Sequence, residues 1–144
     1  MAIAGLLHDV VEDQDVPLAR IEAEFGPTVA AMVAALTEQK REGGVERPWE
    51  ARKQEQLDHL QQASHDAIAV KAADTLHNVR SVASGLRTMG SSLWTSFKRG
   101  PGPSLWYYRS IAALVRTRLG AHPLADELDG AVKDLEQVIA EISV

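Results

Sequence analysis

"HDAIAVKAADTLHNVRSVASGL", residues 65–86, is the stretch whose reading decides the fold. It is the longest and most apolar run of helical periodicity in the chain, so the helix it forms is expected to be the central one. Ser64 stands immediately before it as the N-cap, a position where a hydroxyl satisfies backbone N–H groups that the first turn leaves without partners.

Working outward, helical patterns recur and strand signals are almost absent: there is no β-branched alternation, and no Asn-Gly or Asp-Gly joins two apolar runs. Residues 2–12 carry Ile3, Leu6, Leu7, Val10 and Val11 at helical spacing. Pro17 suits the first turn of a helix continuing through Leu18, Ile21 and Phe25 to Gly26. Pro27 opens the next, with Val29, Met32, Val33 and Leu36 on one stripe. "REGGVERP", residues 41–48, reads as a loop. "PWEARKQEQLDHLQQA", residues 48–63, reads as a polar surface helix anchored by Trp49, Leu57 and Leu60. Beyond the central helix a short turn carries Leu93, Trp94 and Phe97, and "KRGPGPS", residues 98–104, reads as a loop. "LWYYRSIAALVRTRL", residues 105–119, is helical and stops at Gly120, and Pro123 opens a last amphipathic helix. Trp94, Phe97, Trp106 and Tyr107 are expected in the core. The expectation is an all-α fold in one domain, residues 1–144.

Composition narrows the chemistry. The 144 residues are 45% hydrophobic and 24% charged, ordinary for a globular protein and enough for a real core. With no cysteine, disulfides and thiolate metal sites are excluded, so any metal must be held by His, Asp or Glu. The apolar runs are too short to span a membrane, and the start of the chain has no basic n-region, which predicts a cytoplasmic protein. A net charge of -5 argues against general nucleic-acid binding. The average conceals an asymmetry, because no acidic residue occurs between Asp74 and Asp126. Arg80, Arg87, Lys98, Arg99, Arg109, Arg116 and Arg118 all fall in that stretch. Such a block is either an anion-receiving surface or a basic face serving solubility.

Two polar clusters sit inside helical patterns. In "HDVVED", residues 8–13, His8 lies four residues from Glu12 and Asp9 four from Asp13. Each pair stacks one turn apart on a helix, forming a polar band opposite Leu7 and Val11. An imidazole and a carboxylate can ligate a hard metal, and a Glu and Asp one turn on can position or deprotonate a water; the same band could instead simply face solvent. His65-Asp66 provides a control: it sits at a helix start, its +4 positions are Ala69 and Val70, and it reads as a capping turn. The second cluster is "KAADTLHNVRS", residues 71–81. Asp74 there is flanked by Ala72, Ala73 and Leu76, and a buried carboxylate requires a cation or several hydrogen bonds. Lys71 or Arg80 could meet that need as an ion pair, and so could a metal. Asn78 shares the face of Asp74 one turn on, whereas His77 points about 100° away from Asn78.

"LLHDVVED", then "KAADTLHNVRS" and "LWYYRSIAALV", together resemble the HD-superfamily metal-dependent phosphohydrolases, and within them the alarmone (guanosine 3′-diphosphate) hydrolase branch. The resemblance covers essentially the whole chain. It implies an α-helical bundle that holds a divalent metal, Mn²⁺ in the family, and hydrolyses a nucleotide polyphosphate in the manner of a guanosine-3′,5′-bis(diphosphate) 3′-pyrophosphohydrolase. By motif match His8, Asp9 and Asp74 would be metal ligands. Glu12 and Asp13 would orient and activate the hydrolytic water. Asn78, Ser81, Tyr108 and Arg109 would bind substrate. The alternatives are a phosphohydrolase of another nucleotide, or an impaired HD-like domain serving as a nucleotide-binding or assembly module. Family members carry about two further helices upstream, with a fourth ligand His and a basic pair that contacts the base. Here seven residues precede His8, none of them His, Lys or Arg. The expectation is thus a bundle lacking the first family helices, a three-ligand site, and a homo-oligomer that covers the apolar surface those helices would occupy.

Overall fold

Local signals set most helix boundaries in the computed structural model, which describes residues 18–37 and 41–142. The helix expected over residues 2–12, and with it the "HDVVED" band, lies outside the described residues. Six α-helices are described: α1 (Leu18–Phe25), α2 (Pro27–Leu36), α3 (Trp49–Gln61), α4 (His65–Met89), α5 (Pro101–Leu119) and α6 (Pro123–Ile142). The fold is all-α, as the periodicity predicts. Two minimal strands, β1 (Arg41–Glu42) and β2 (Val45–Glu46), and a 3₁₀ turn at Gly90–Ser96 complete it. Packing divides the chain into two compact units, Met1–Lys71 and Ala72–Val144, with the boundary inside α4. Among the described residues no helix is long and apolar enough to cross a membrane.

In the first unit α1 and α2 pack together, and Ile21, Ala30, Met32, Val33 and Leu36 form its core with Ala67 from the start of α4. Ser64 caps α4 as expected: its Oγ accepts a hydrogen bond from the Ala67 N–H at 3.1 Å. His65 and Asp66 are exposed in the first turn, as expected for a capping pair. Leu57 and Leu60 anchor α3, but they are joined inside by Gln56 and Arg52, which its polar composition conceals. Gln56 has a definite task. Its Nε2 donates to the Leu36 carbonyl oxygen at 2.8 Å, satisfying one of the acceptors that the end of α2 leaves open.

Residues 41–48 are not simply a loop. Arg41 pairs with Glu46 and Glu42 with Val45 in an antiparallel hairpin. Gly43 and Gly44 sit at φ 57° and 81°, the positive values that a two-residue type I′ connection demands of both central residues. Gly-Gly is the local signal for this turn, although no apolar alternation flanks it. Just beyond the hairpin, Arg47 forms an ion pair with Glu55 of α3, and this hydrogen bond holds the Glu55 carboxyl below its ordinary range.

In the second unit the core follows helical spacing: Ala72, Leu76, Val79, Ala83 and Leu86 on α4, and Leu128, Val132, Leu135 and Val138 on α6. Ile111 and Val115 of α5 are fully buried with them. Gly85 admits the 3₁₀ turn closely. A Cβ placed there would lie 2.9 Å from Leu93 Cδ2. α5 starts inside the segment expected to be a loop, because Pro101 and Pro103 fall in the first turn, where a missing N–H breaks no helical bond. It ends at Gly120 as expected, and His122 Nδ1 then accepts from the Leu124 N–H at 3.0 Å at the start of α6. Of the four aromatics expected inside, Tyr107 is buried and Trp94 and Phe97 are half-buried, edge to face at 5.3 Å. Trp106 is the exception at 40% exposure, since it occupies the outward side of α5 next to inward-facing Leu105 and Tyr107.

Candidate active site

Asp74 stands in the third turn of α4, half-buried, between buried Ala72 and buried Thr75. Asn78 follows one turn later and Ser81 two turns later, both exposed. At 3.6 residues per turn, Asn78 and Ser81 fall within about 40° and 20° of the Asp74 direction, so the three form a stripe along the helix. Thr75, Val79 and Val82 carry the inward side of the same turns, and their burial fixes which way the stripe faces. Of the two cations considered as partners for Asp74, Arg80 is exposed and makes no ion pair among the described residues.

Tyr108 comes to this stripe from α5. Its phenol is half-buried, and its pKa is pushed up to about 12, first by burial and then by the negative charges of Tyr107 and Asp74. The electrostatic coupling puts Asp74 and Tyr108 in one neighbourhood. At neutral pH Tyr108 is therefore a hydroxyl that can donate a hydrogen bond. Tyr107, whose ring centroid is 6.1 Å from that of Tyr108, supports it from the core.

Arg109 is engaged elsewhere. It is exposed on α5, and its Nε donates to Glu136 Oε1 of α6 at 2.8 Å, a bond that raises the guanidinium above its ordinary range. It belongs to a series. Arg87 Nη2 lies 2.6 Å from Asp134, and Arg116 Nη2 lies 2.7 Å from both Asp126 and Asp129. The block that is acid-free in sequence is thus partly answered in space by carboxylates of α6. The signal for this was present in the acid-rich sequence beginning at Asp126, but the pairs span 10 to 47 residues, and linear charge says nothing about them.

Among the described residues no group of three His, Asp or Glu side chains could hold a metal. Asp74 is the one member of the expected ligand set that they include; His8, Asp9, Glu12 and Asp13 lie outside them. A further polar face lies on α4, where His77, Arg80 and Ser84 join Ser81 along an open groove. The spacing of 77, 80, 81 and 84 is one helical stripe and could have shown it.

Residues 1–97 match the HD domain family. The chain belongs to that family. The match takes in "HDVVED", Asp74, Asn78 and Ser81, so the HD domain includes both polar clusters of the sequence. A Danio rerio protein named guanosine-3′,5′-bis(diphosphate) 3′-pyrophosphohydrolase MESH1 is 42% identical over 77 residues, which are 54% of this chain and 40% of that protein. The Drosophila melanogaster protein of the same name is 35% identical over 97 residues, 67% of this chain and 49% of its own. The matched stretches therefore span less than half the length of these relatives. A solved structure, lmo0812 from Listeria monocytogenes EGD-e, superposes with a TM-score of 0.75 at 33% identity, covering 96% of this HD chain and 86% of that one.

Proposed function

We propose that this HD domain is a metal-dependent phosphohydrolase that releases pyrophosphate from guanosine-3′,5′-bis(diphosphate). The observation that carries the reading is the family match over residues 1–97, which takes in the His-Asp pair and Asp74 together. The relatives named for this hydrolysis support the substrate. The match crosses the Lys71–Ala72 boundary and ends at residue 97, and we take residues 1–144 as one functional domain.

His8, Asp9 and Asp74 would hold the cation. One imidazole and two carboxylates suit a hard divalent ion, and Mn²⁺ is our assignment. When bound, such an ion lowers the pKa of water and offsets charge on phosphoryl oxygens. Glu12 and Asp13 orient the attacking water and accept its proton on a carboxylate oxygen. Asn78 and Ser81 take the sugar through side chains left exposed on the α4 stripe. Tyr108, protonated at working pH, donates to a phosphate oxygen. Arg109 would reach phosphate only by exchanging Glu136 for it.

The substrate class fits a cytoplasmic location. The pairing of Arg87, Arg109 and Arg116 with α6 breaks up any continuous basic face, which supports the exclusion of nucleic acid as partner. A homo-oligomer completes the proposal, motivated by the exposed Met89 and Trp106; a monomer by light scattering at working concentration refutes that part.

Metal analysis beside a hydrolysis assay tests the central reading. Bound divalent metal and Mn²⁺-dependent release of pyrophosphate are expected, with both lost in His8→Ala and Asp74→Ala and kept in His65→Ala. Unchanged metal and turnover in the first two variants would reject the ligand assignment. A protein that holds no metal and hydrolyses no nucleotide is instead a binding or assembly module.

A further inference from the structure

We infer that the groove on the outward side of α4 receives the 5′-diphosphate of the substrate, with Arg80 as its anchoring cation. This rests on the nucleotide 3′-diphosphate hydrolase reading and adds a second phosphate subsite to it.

Of the seven cations between Asp74 and Asp126, Arg87, Arg109 and Arg116 are paired with carboxylates of α6. Lys98, Arg99 and Arg118 have interactions of their own. Among the described residues Arg80 is the exception: it is exposed and makes no ion pair. A guanidinium carries a planar fork of donors suited to phosphate oxygens, so an uncompensated one is the natural anion contact.

Arg80 lines an open groove together with His77, Ser81 and Ser84, and Ala73, Leu76 and Gly85 complete its lining. Two hydroxyls and an imidazole add donors, and among the described residues no carboxylate lines the groove. Its volume, about 610 Å³, is ample for a diphosphate.

Ser81 belongs both to the Asp74 stripe and to the groove. With a rise of about 1.5 Å per residue, Asn78 lies roughly 6 Å along α4 from Asp74, and Ser84 roughly 15 Å. A nucleotide whose 3′-diphosphate is at Asp74 and whose sugar is at Asn78 and Ser81 therefore sends its 5′ substituent along the groove towards Ser84. Arg80, about 100° round α4 from Ser81, lines the same groove and would meet that substituent there.

Steady-state kinetics of Arg80→Gln on two substrates tests this. For guanosine 3′,5′-bis(diphosphate) KM should rise about tenfold, as expected for one lost charge-assisted contact, with kcat little changed. For guanosine 3′-diphosphate with a free 5′-hydroxyl, KM should stay the same. Ser84→Ala should give a smaller rise with the same selectivity. An equal rise for both substrates, or no rise for either, overturns the inference. If the wild-type protein hydrolyses neither substrate, the functional reading fails on its own, and calorimetry with guanosine 5′-diphosphate still decides the groove. Binding weakened about tenfold by Arg80→Gln supports it. Equal binding by both proteins, or no binding by the wild type, overturns it.

Discussion

Arg80 and Arg87 stand seven residues apart on α4, which is two turns and within about 20° of the same direction. Their circumstances differ completely. Arg87 meets Asp134 of α6 at 2.6 Å, and that hydrogen bond raises its guanidinium above the ordinary range. Arg80, two turns back, meets no carboxylate among the described residues and opens onto a groove. The lesson concerns what a charge block means. Seven cations without an acid between them describe a sequence, while the number available to a ligand depends on which helix packs alongside.

The largest effect should come from the stripe that Arg80 borders. Asp74→Ala is expected to lower turnover by more than about 100-fold, beyond the roughly 10–100-fold loss typical of residues that merely orient a metal ligand. With metal removed from both, thermal unfolding of that variant should stay close to the wild type, because Asp74 is only half-buried. Leu86→Ala on the inward side of α4 should do the opposite, removing about 2–5 kcal/mol of stability measured by denaturant titration while kcat of the folded fraction is kept. If both variants lost activity and stability together, the division of α4 into a core side and a chemical side would be wrong.

The two arginines can then be set directly against each other. Where Arg80→Gln raises KM about tenfold, Arg87→Gln should leave it unchanged, because a guanidinium already held by Asp134 has no free fork to lose. Equal KM shifts would erase the distinction. Base titration separates the site from its surroundings in another way. Tyr108 ionises only at about 12, while an unfolded tyrosine does so at about 10. Between those values the native state holds the extra proton, so stability falls as pH rises through the window. Tyr108→Phe should flatten that part of the curve, and an unaltered slope would show that the phenol is not held by burial beside Asp74. Asp134→Asn should have the smallest consequence, a barely measurable change in Tm, since exposed ion pairs add little.

What was legible in the sequence was what is local. The Ser64 cap, the stop at Gly120 and the starts at Pro27 and Pro123 each depend on a few adjacent residues, and all appear where the pattern puts them. The hairpin at Gly43-Gly44 and the helical turn at Pro101–Pro103 are also local, but glycine and proline there have two meanings, of which a loop is the commoner. Of the candidate site, the stripe Asp74, Asn78 and Ser81 follows from helical spacing alone. Its neighbour Tyr108 lies 34 positions beyond Asp74 and was reached by motif resemblance, not by physics. The carboxylates of α6 were invisible for a related reason, since pairing across helices is a property of packing.

The close contact at Gly85 has a consequence for anyone who sets out to improve this protein. A glycine inside a 25-residue helix is the first place a stabilising survey would try alanine, for a nominal gain of about 0.5–1 kcal/mol. Here the added carbon would press on the end of the Leu93 side chain, which would have to shift aside. The missing side chain is itself a piece of fit: helix propensity is surrendered at one position so that the next segment can lie flat against the rod.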